Sequence, residues 1–305
     1  MRIGVIDMGT NTFNLLVAEG YGSNFVIVCH RTIGVMLGKG GINSGTIAPE
    51  AYQRGLLAFD EHVTMARELG VEVVKAFATS AIRSAKNGGD FVDELVGKYG
   101  VDVEVISGDR EAELIFKGVA ASVTLDSNRV LIMDIGGGSN EFIICDRGGI
   151  RWKQSFPLGM SRLLERFRPS DPMLMAEVEA VECYLTEGLE PLWTACQLYH
   201  PQIMVGASGA FDTFRDVLFF GKDSDAPICN IGLEELEALH RRLLASTLEQ
   251  RRRMEGMDEL RVEMIVLASI ATNLVLRKAA IGQLIQSDYS LKEGAAVELL
   301  GGAVK

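Results

Sequence analysis

Two stretches of the chain carry the same rhythm of apolar and polar positions. Residues 2–19 (RIGVIDMGTNTFNLLVAE) align without gaps to residues 129–146 (RVLIMDIGGGSNEFIICD). A basic start, an apolar run, an aspartate, a glycine, small polar residues and a second apolar run fall at matching places. Each copy reads as strand, tight turn, strand, and each is followed by a third run of strand character, at 25–35 and 150–158. The spacing then turns helical over 49–69, extended over 71–79, helical over 90–100 and extended over 101–107. In the second half it is helical over 171–193, with Asp171 placed to cap, and extended over 202–208. Two copies of a three-stranded turn motif with helices behind predict a duplicated α/β domain with a cleft between its lobes. The expected lobes are 1–125 and 126–305.

Two later helical stretches differ in character. Residues 258–280 are apolar on too many faces for one stripe, so this helix is expected to be mostly buried, in the second lobe or in a homodimer interface. Residues 234–260 contain the arginine run 251–253, which reads as a solvated helix end where cations suit the dipole.

Composition narrows the function. A 305-residue chain that is 48% hydrophobic can bury real cores, and two domains are the default at this length. Its net charge of −11 argues against a duplex nucleic-acid partner, and means that a polyanionic substrate must be held by local cations or metal. The five cysteines (29, 145, 183, 196, 229) are scattered and form no CxxC; they read as reduced thiols. The four histidines (30, 62, 200, 240) lack metal-ligand spacing, so a His-based zinc site is not expected. The chain starts directly in a strand without a leader pattern, and its longest apolar run, 264–276, is too short to span a bilayer. A cytoplasmic protein with no membrane partner is expected.

The candidate chemistry begins at the turns. Three successive glycines weaken a strand but let an anion approach bare backbone N–H groups. Asp7 and Asp134 end the first strands of the two copies, so both could point at one spot. Two carboxylates there need a hard cation such as Mg²⁺ or Mn²⁺; singly, each would only accept N–H bonds within its turn.

At this point the chain resembles the exopolyphosphatase/guanosine pentaphosphate phosphatase (Ppx/GppA) family of the actin-like ATPase superfamily. The stretches that carry the resemblance are DMGTNTFNLLV (7–17), ATSAIRSAKN (78–87), ISGDREAELIF (106–116) and DIGGGSNEF (134–142), with PLGMSRL (157–163), GASG (206–209) and SDYSLKEG (287–294) following in order. The resemblance implies duplicated actin-like (ribonuclease H-like) domains with an active-site cleft between the lobes. It implies Asp7, Asp134 and Glu141 as metal ligands. Phosphate would be bound by Gly136, Gly137, Gly138 and Ser139, with Asn11 and Thr12 from the other lobe, and more weakly by Gly206, Ser208 and Lys292. Arg83 would give a guanidinium fork to phosphate, and Glu111 would be the base that activates water. Arg110 and Glu113 depart from the family pattern nearby, which leaves Asp109 as the alternative base. Longer relatives carry a further helical domain, so a chain ending at Lys305 is expected to prefer short polymers.

The leading expectation is a Mg²⁺-dependent hydrolase that releases terminal phosphate from inorganic polyphosphate, or the 5′-γ-phosphate from guanosine pentaphosphate. The alternatives are an ATP-dependent small-molecule kinase of the same superfamily, and a polyphosphate or nucleotide sensor without turnover.

Overall fold

Both predicted hairpins form in the computed structural model, which describes residues 1–21, 24–222 and 226–301. β1 (Arg2–Met8) pairs antiparallel with β2 (Thr12–Tyr21), and β2 with β3 (Asn24–Gly34). β4 (Val73–Ala78) and β5 (Asp102–Val105) add in parallel beyond β1, giving a five-stranded sheet of order β3-β2-β1-β4-β5. The intervening helices are α1 (Pro49–Glu68), α2 (Ser80–Ser84), α3 (Gly88–Tyr99) and α4 (Gly108–Ser122). Phe59 and Val63 of α1 and Phe91 and Leu95 of α3 form one core with Ile6, Met8, Leu15 and Val17. Strands covered by helices need continuous apolar runs rather than alternation, as β1 shows.

The second unit repeats the plan. β6 (Val130–Ile135), β7 (Asn140–Asp146) and β8 (Gly149–Phe156) form the antiparallel side. After α5 (Met160–Phe167), α6 (Met175–Gly188) and α7 (Glu190–Tyr199), β9 (Ile203–Ala207) pairs in parallel with β6. Then come α8 (Gly209–Leu218), β10 (Ile228–Ile231), α9 (Leu233–Leu244), α10 (Leu248–Arg252), α11 (Ile265–Lys278) and β11 (Gln283–Ser287). The sheet order is β10-β11-β9-β6-β7-β8, the order of the first sheet with β10 added at an edge. Even the irregularities match. The ladder to the third strand shifts register between Val17 and Ala18 in one copy and between Ile144 and Cys145 in the other, the same place in the repeat.

Four details differ from the sequence reading. The 171–193 helix starts only at Met175 and breaks at Leu189, because Pro191 sits in the first turn of α7 and cannot continue α6. Asp171 caps a different helix: its carboxylate accepts from the Leu248 N–H of α10 at 2.7 and 2.8 Å. Arg251 is not solvated. It is 6% exposed and donates to the carbonyls of Val262 and Ser246 and to Asp171. The 258–280 helix begins at Ile265, and from there it is mostly buried, as expected.

The chain then returns. α12 (Leu291–Leu299) packs against β1 and β2, so the first unit comprises Met1–Ala121, Gly136–Gly138 and the chain from Tyr289, while the second holds Ser122–Ile135 and Ser139–Asp288. This division differs from the expected 1–125 and 126–305 by ending the first segment at Ala121 and by giving Gly136–Gly138 and α12 to the first unit. Paired glycines make the crossing possible: a Cβ at Gly118 would meet the Ser290 carbonyl oxygen at 1.9 Å, and one at Gly294 the Leu114 carbonyl oxygen at 1.8 Å. Glu298 of α12 closes the contact by pairing with Arg110 and Lys117 of α4. Among the described residues no helix is long and apolar enough to cross a membrane.

Candidate functional site

In the first unit the β1–β2 turn is held by the Gly9 N–H, which donates to the Thr12 carbonyl at 3.0 Å. A Cβ at Gly9 would stand 2.9 Å from that oxygen, so the turn requires glycine. The Asn11 carbonyl accepts from Val35 and Met36, tying the turn to the end of β3. Thr12 is buried, and Asp7, on β1, is half-buried. Protein atoms nevertheless surround the Asp7 carboxyl, and the resulting desolvation pushes it up to about 6 from an ordinary 3.8. The Lys292 ammonium and the hydrogen bond from Asn14 oppose that rise, and Glu293 adds to it. Lys292 is therefore an electrostatic neighbour of Asp7, with its side chain 16% exposed and its Nζ 3.1 Å from Glu293.

Arg83 and Glu111, named separately from the sequence, meet. Arg83 Nη1 donates to Glu111 Oε2 at 2.8 Å and to the Ile106 carbonyl at 2.8 Å. Topology explains the meeting. β4 and β5 are parallel neighbours, so the helices that follow them, α2 with Arg83 and α4 with Glu111, begin at the same edge of the sheet. Glu111 is 7% exposed, whereas Asp109 faces solvent. Burial and the Arg83 contact hold the Glu111 carboxyl group in one place.

The turn Gly136–Gly138 groups with the first unit. A Cβ at Gly138 would lie 2.6 Å from both Thr10 Oγ1 and Ser80 Oγ, so the third glycine is required by close approach. Thr10 and Ser80 are buried hydroxyl residues that the motifs did not single out. Gly136 and Gly137 are half-buried.

In the second unit Asp134 and Glu141 are direct cross-strand partners, 7% and 1% exposed. Ser155 Oγ donates to Glu141 Oε1 at 2.6 Å. Ser139 is buried beside them in sequence, and the next residue, Asn140, donates to the Leu158 carbonyl at 2.9 Å just before α5. Asp134 also pairs with Ala207 of β9, so Gly206 and Ser208 lie on the adjoining strand end. Gly206 has a packing role, since a Cβ there would meet the Phe211 ring at 2.1 Å. Ser208 holds φ 73° and ψ 166°, a region that disfavours side chains.

Among the described residues no three His, Cys, Asp or Glu side chains converge as a metal cluster. The donor chemistry at Asp134 and Glu141 still fits a hard cation. Two buried carboxyl residues side by side suit an ion that takes one or two carboxylates and completes its shell with water and phosphate oxygens.

Comparison with known proteins gives this arrangement its context. The model of the Ppx/GppA phosphatase family matches residues 16–302. The chain belongs to the Ppx/GppA phosphatase family. It is 30% identical to exopolyphosphatase 2 of Mycobacterium tuberculosis over 98% of this chain and 99% of that one. A crystal structure of an exopolyphosphatase from Cytophaga hutchinsonii superposes with a TM-score of 0.96 at 39% identity, covering 100% of this chain and 99% of the other. The Aquifex aeolicus PPX-GPPA enzyme superposes at 0.81 with 25% identity, covering 98% and 99%. As a Ppx/GppA member this chain is a phosphatase, with the duplicated α/β fold that its sequence implied.

Proposed function

We propose that this Ppx/GppA phosphatase releases the terminal phosphate of inorganic polyphosphate with the help of Mg²⁺ or Mn²⁺. The observation that carries the reading is the Arg83–Glu111 pair: a buried carboxyl group that accepts a hydrogen bond from a guanidinium that itself suits phosphate. An arriving terminal phosphate competes for Arg83. The guanidinium turns its fork to the phosphoryl oxygens and leaves Glu111 Oε2 to accept a proton from water. That water attacks the terminal phosphorus, the bridging P–O bond breaks, and orthophosphate leaves a chain shorter by one unit. Asp134 and Glu141 would hold the cation, which supplies charge neutralisation at the phosphoryl oxygens when bound; Asp7 is the first unit's candidate ligand. Backbone N–H groups around Gly136, Gly137 and Gly138, the Ser139 hydroxyl, and Asn11 and Thr12 would complete the donors, with Lys292 receiving the next phosphate of the chain. Its likeness to exopolyphosphatases supports the substrate choice.

The test is phosphate release from medium-length polyphosphate with and without Mg²⁺, for wild type and Glu111→Gln, with guanosine pentaphosphate and ATP in parallel. Metal-dependent release that falls by about 10²–10⁴ in the variant is expected. Release only from guanosine pentaphosphate would replace the substrate. Phosphate transfer from ATP to an added alcohol would replace hydrolysis by a kinase reading, and binding without any release would leave a sensor.

A further inference from the structure

Each sheet carries a row of three side chains of which the motifs pick out only the carboxylates. On the first sheet Asp7, Asn14 and Thr32 are successive cross-strand partners on β1, β2 and β3. On the second, Asp134, Glu141 and Ser155 stand the same way on β6, β7 and β8. Direct partners share a face of the sheet, so each row runs from the turn aspartate, through a middle residue, to a hydroxyl on the third strand.

The hydroxyls are engaged. Thr32 Oγ1 donates to Asn14 Oδ1 at 2.9 Å, and Asn14 Nδ2 donates to Asp7 Oδ2 at 3.2 Å and to Thr12 Oγ1 at 3.4 Å. With the amide oxygen taken by Thr32, the amide N–H groups are turned to Asp7. In the second row Ser155 Oγ donates to Glu141 Oε1 at 2.6 Å. A carboxylate with one oxygen fixed by a hydrogen bond presents the other in a set direction, which is how outer partners tune cation ligands.

We propose that Thr32 and Ser155 are positioning residues. Ser155 aims Glu141 directly, and Thr32 aims Asp7 through Asn14, each within its own unit, so that the carboxylate presents its other oxygen to a cation. The proposal rests on the hydrolase reading for its consequence in turnover, but its geometry belongs to the chain alone. Thr32 is exposed and Ser155 half-buried, so either hydroxyl can be removed without opening a core cavity.

The test compares Ser155→Ala and Thr32→Val with the conservative Ser155→Thr and Thr32→Ser. Three quantities are read: Mn²⁺ binding by calorimetric titration of the substrate-free chain, kcat and KM on polyphosphate, and melting temperature. Ser155→Ala is expected to weaken Mn²⁺ binding and to lower kcat about tenfold each, with KM and melting temperature little changed, and Ser155→Thr to recover most of both. Thr32→Val should lose roughly threefold, because it acts through Asn14. Wild-type Mn²⁺ affinity and kcat in Ser155→Ala would overturn the proposal, as would a Ser155→Thr variant as impaired as the alanine. A wild type that binds Mn²⁺ but releases no phosphate would refute the hydrolase reading alone, and the Mn²⁺ titrations would still decide the role of Ser155.

Discussion

The two hairpins share their apolar rhythm, their place in the strand order and even their register shift, yet the middle residue of the row differs. Asn14 stands beside Asp7 where Glu141 stands beside Asp134. In the first unit the aspartate faces a neutral amide that donates to it. In the second it faces another carboxyl residue, nearly inaccessible to water. A duplicated scaffold has therefore been given unequal charge. The second row suits a cation, because neighbouring carboxylates repel unless a proton or metal lies with them. The first row offers one oriented carboxylate, tempered by the Lys292 ammonium.

Changing the charged member of the second row has the largest expected effect. Glu141→Gln makes that row resemble the first, and should lower metal-dependent phosphate release by about 10²–10³, comparable to losing a main electrostatic contact to the transition state. Steady-state kinetics across a Mg²⁺ titration measures it; unchanged turnover would mean that the asymmetry has no catalytic meaning.

Asp7→Asn tests the first row in two directions. Activity should fall by about 10², while stability without metal should rise. The folded Asp7 carboxyl titrates near 6, above its ordinary 3.8. The fold therefore binds that proton more tightly than the unfolded chain does. The contribution of Asp7 to stability is fullest below about pH 4 and is lost as pH rises through 6. Removing the charge at pH 7.5 should recover about 1–3 kcal/mol, read as a higher melting temperature in EDTA. No gain, or a loss, would show that the carboxylate is not held at a cost.

Asn14→Asp makes the first row imitate the second. Two carboxylates in register should cost about 1 kcal/mol in EDTA, and Mg²⁺ should return part of it, as melting curves with and without the ion would show. An equal melting temperature in both conditions would mean that the middle position does not control cation affinity.

The smallest effect is acid sensitivity in the first unit. His62 of α1 is fully buried, with Nε2 3.0 Å from the Phe13 carbonyl, so Nε2 carries the hydrogen; Nδ1 has no partner. Burial depresses its pKa, with the carbonyl contact working against that shift. The unfolded chain thus takes up this proton first as pH falls below 6.5, and stability is lost there at up to about 1.4 kcal/mol per pH unit. Hydrogen exchange at pH 5.5 and 7.5 should show β2 and α1 loosening in acid, and His62→Gln should remove that loosening.

Much of this molecule was legible in the chain, for reasons that differ between parts. The hairpins were, because strand and turn preferences act between near neighbours, and both Asp7 and Asp134 with their glycine turns fell at the expected strand ends. Arg83 and Glu111 were named by resemblance, but their contact came from the parallel pairing of β4 and β5. Of the arginine run at 251–253 only Arg251 was misread, because nothing local shows that Asp171 and two carbonyls wait for it, while Arg252 and Arg253 are exposed at the helix end as expected. Thr32 and Ser155 went unnoticed because a residue's place on the third strand depends on hairpin length and on the register shift, neither of which periodicity fixes.

The sequence by itself determined the repeat, the α/β class and the carboxylates and glycines at the two turns, since each follows from spacing along a few adjacent residues. Only the tertiary structure decided that α12 returns to β1 and β2, that Glu111 is held by Arg83, and that Asn14 and Glu141 occupy equivalent places with unlike charge. Those outcomes depend on which strands become neighbours and in what register, and that is settled by burying the apolar faces of the whole domain together.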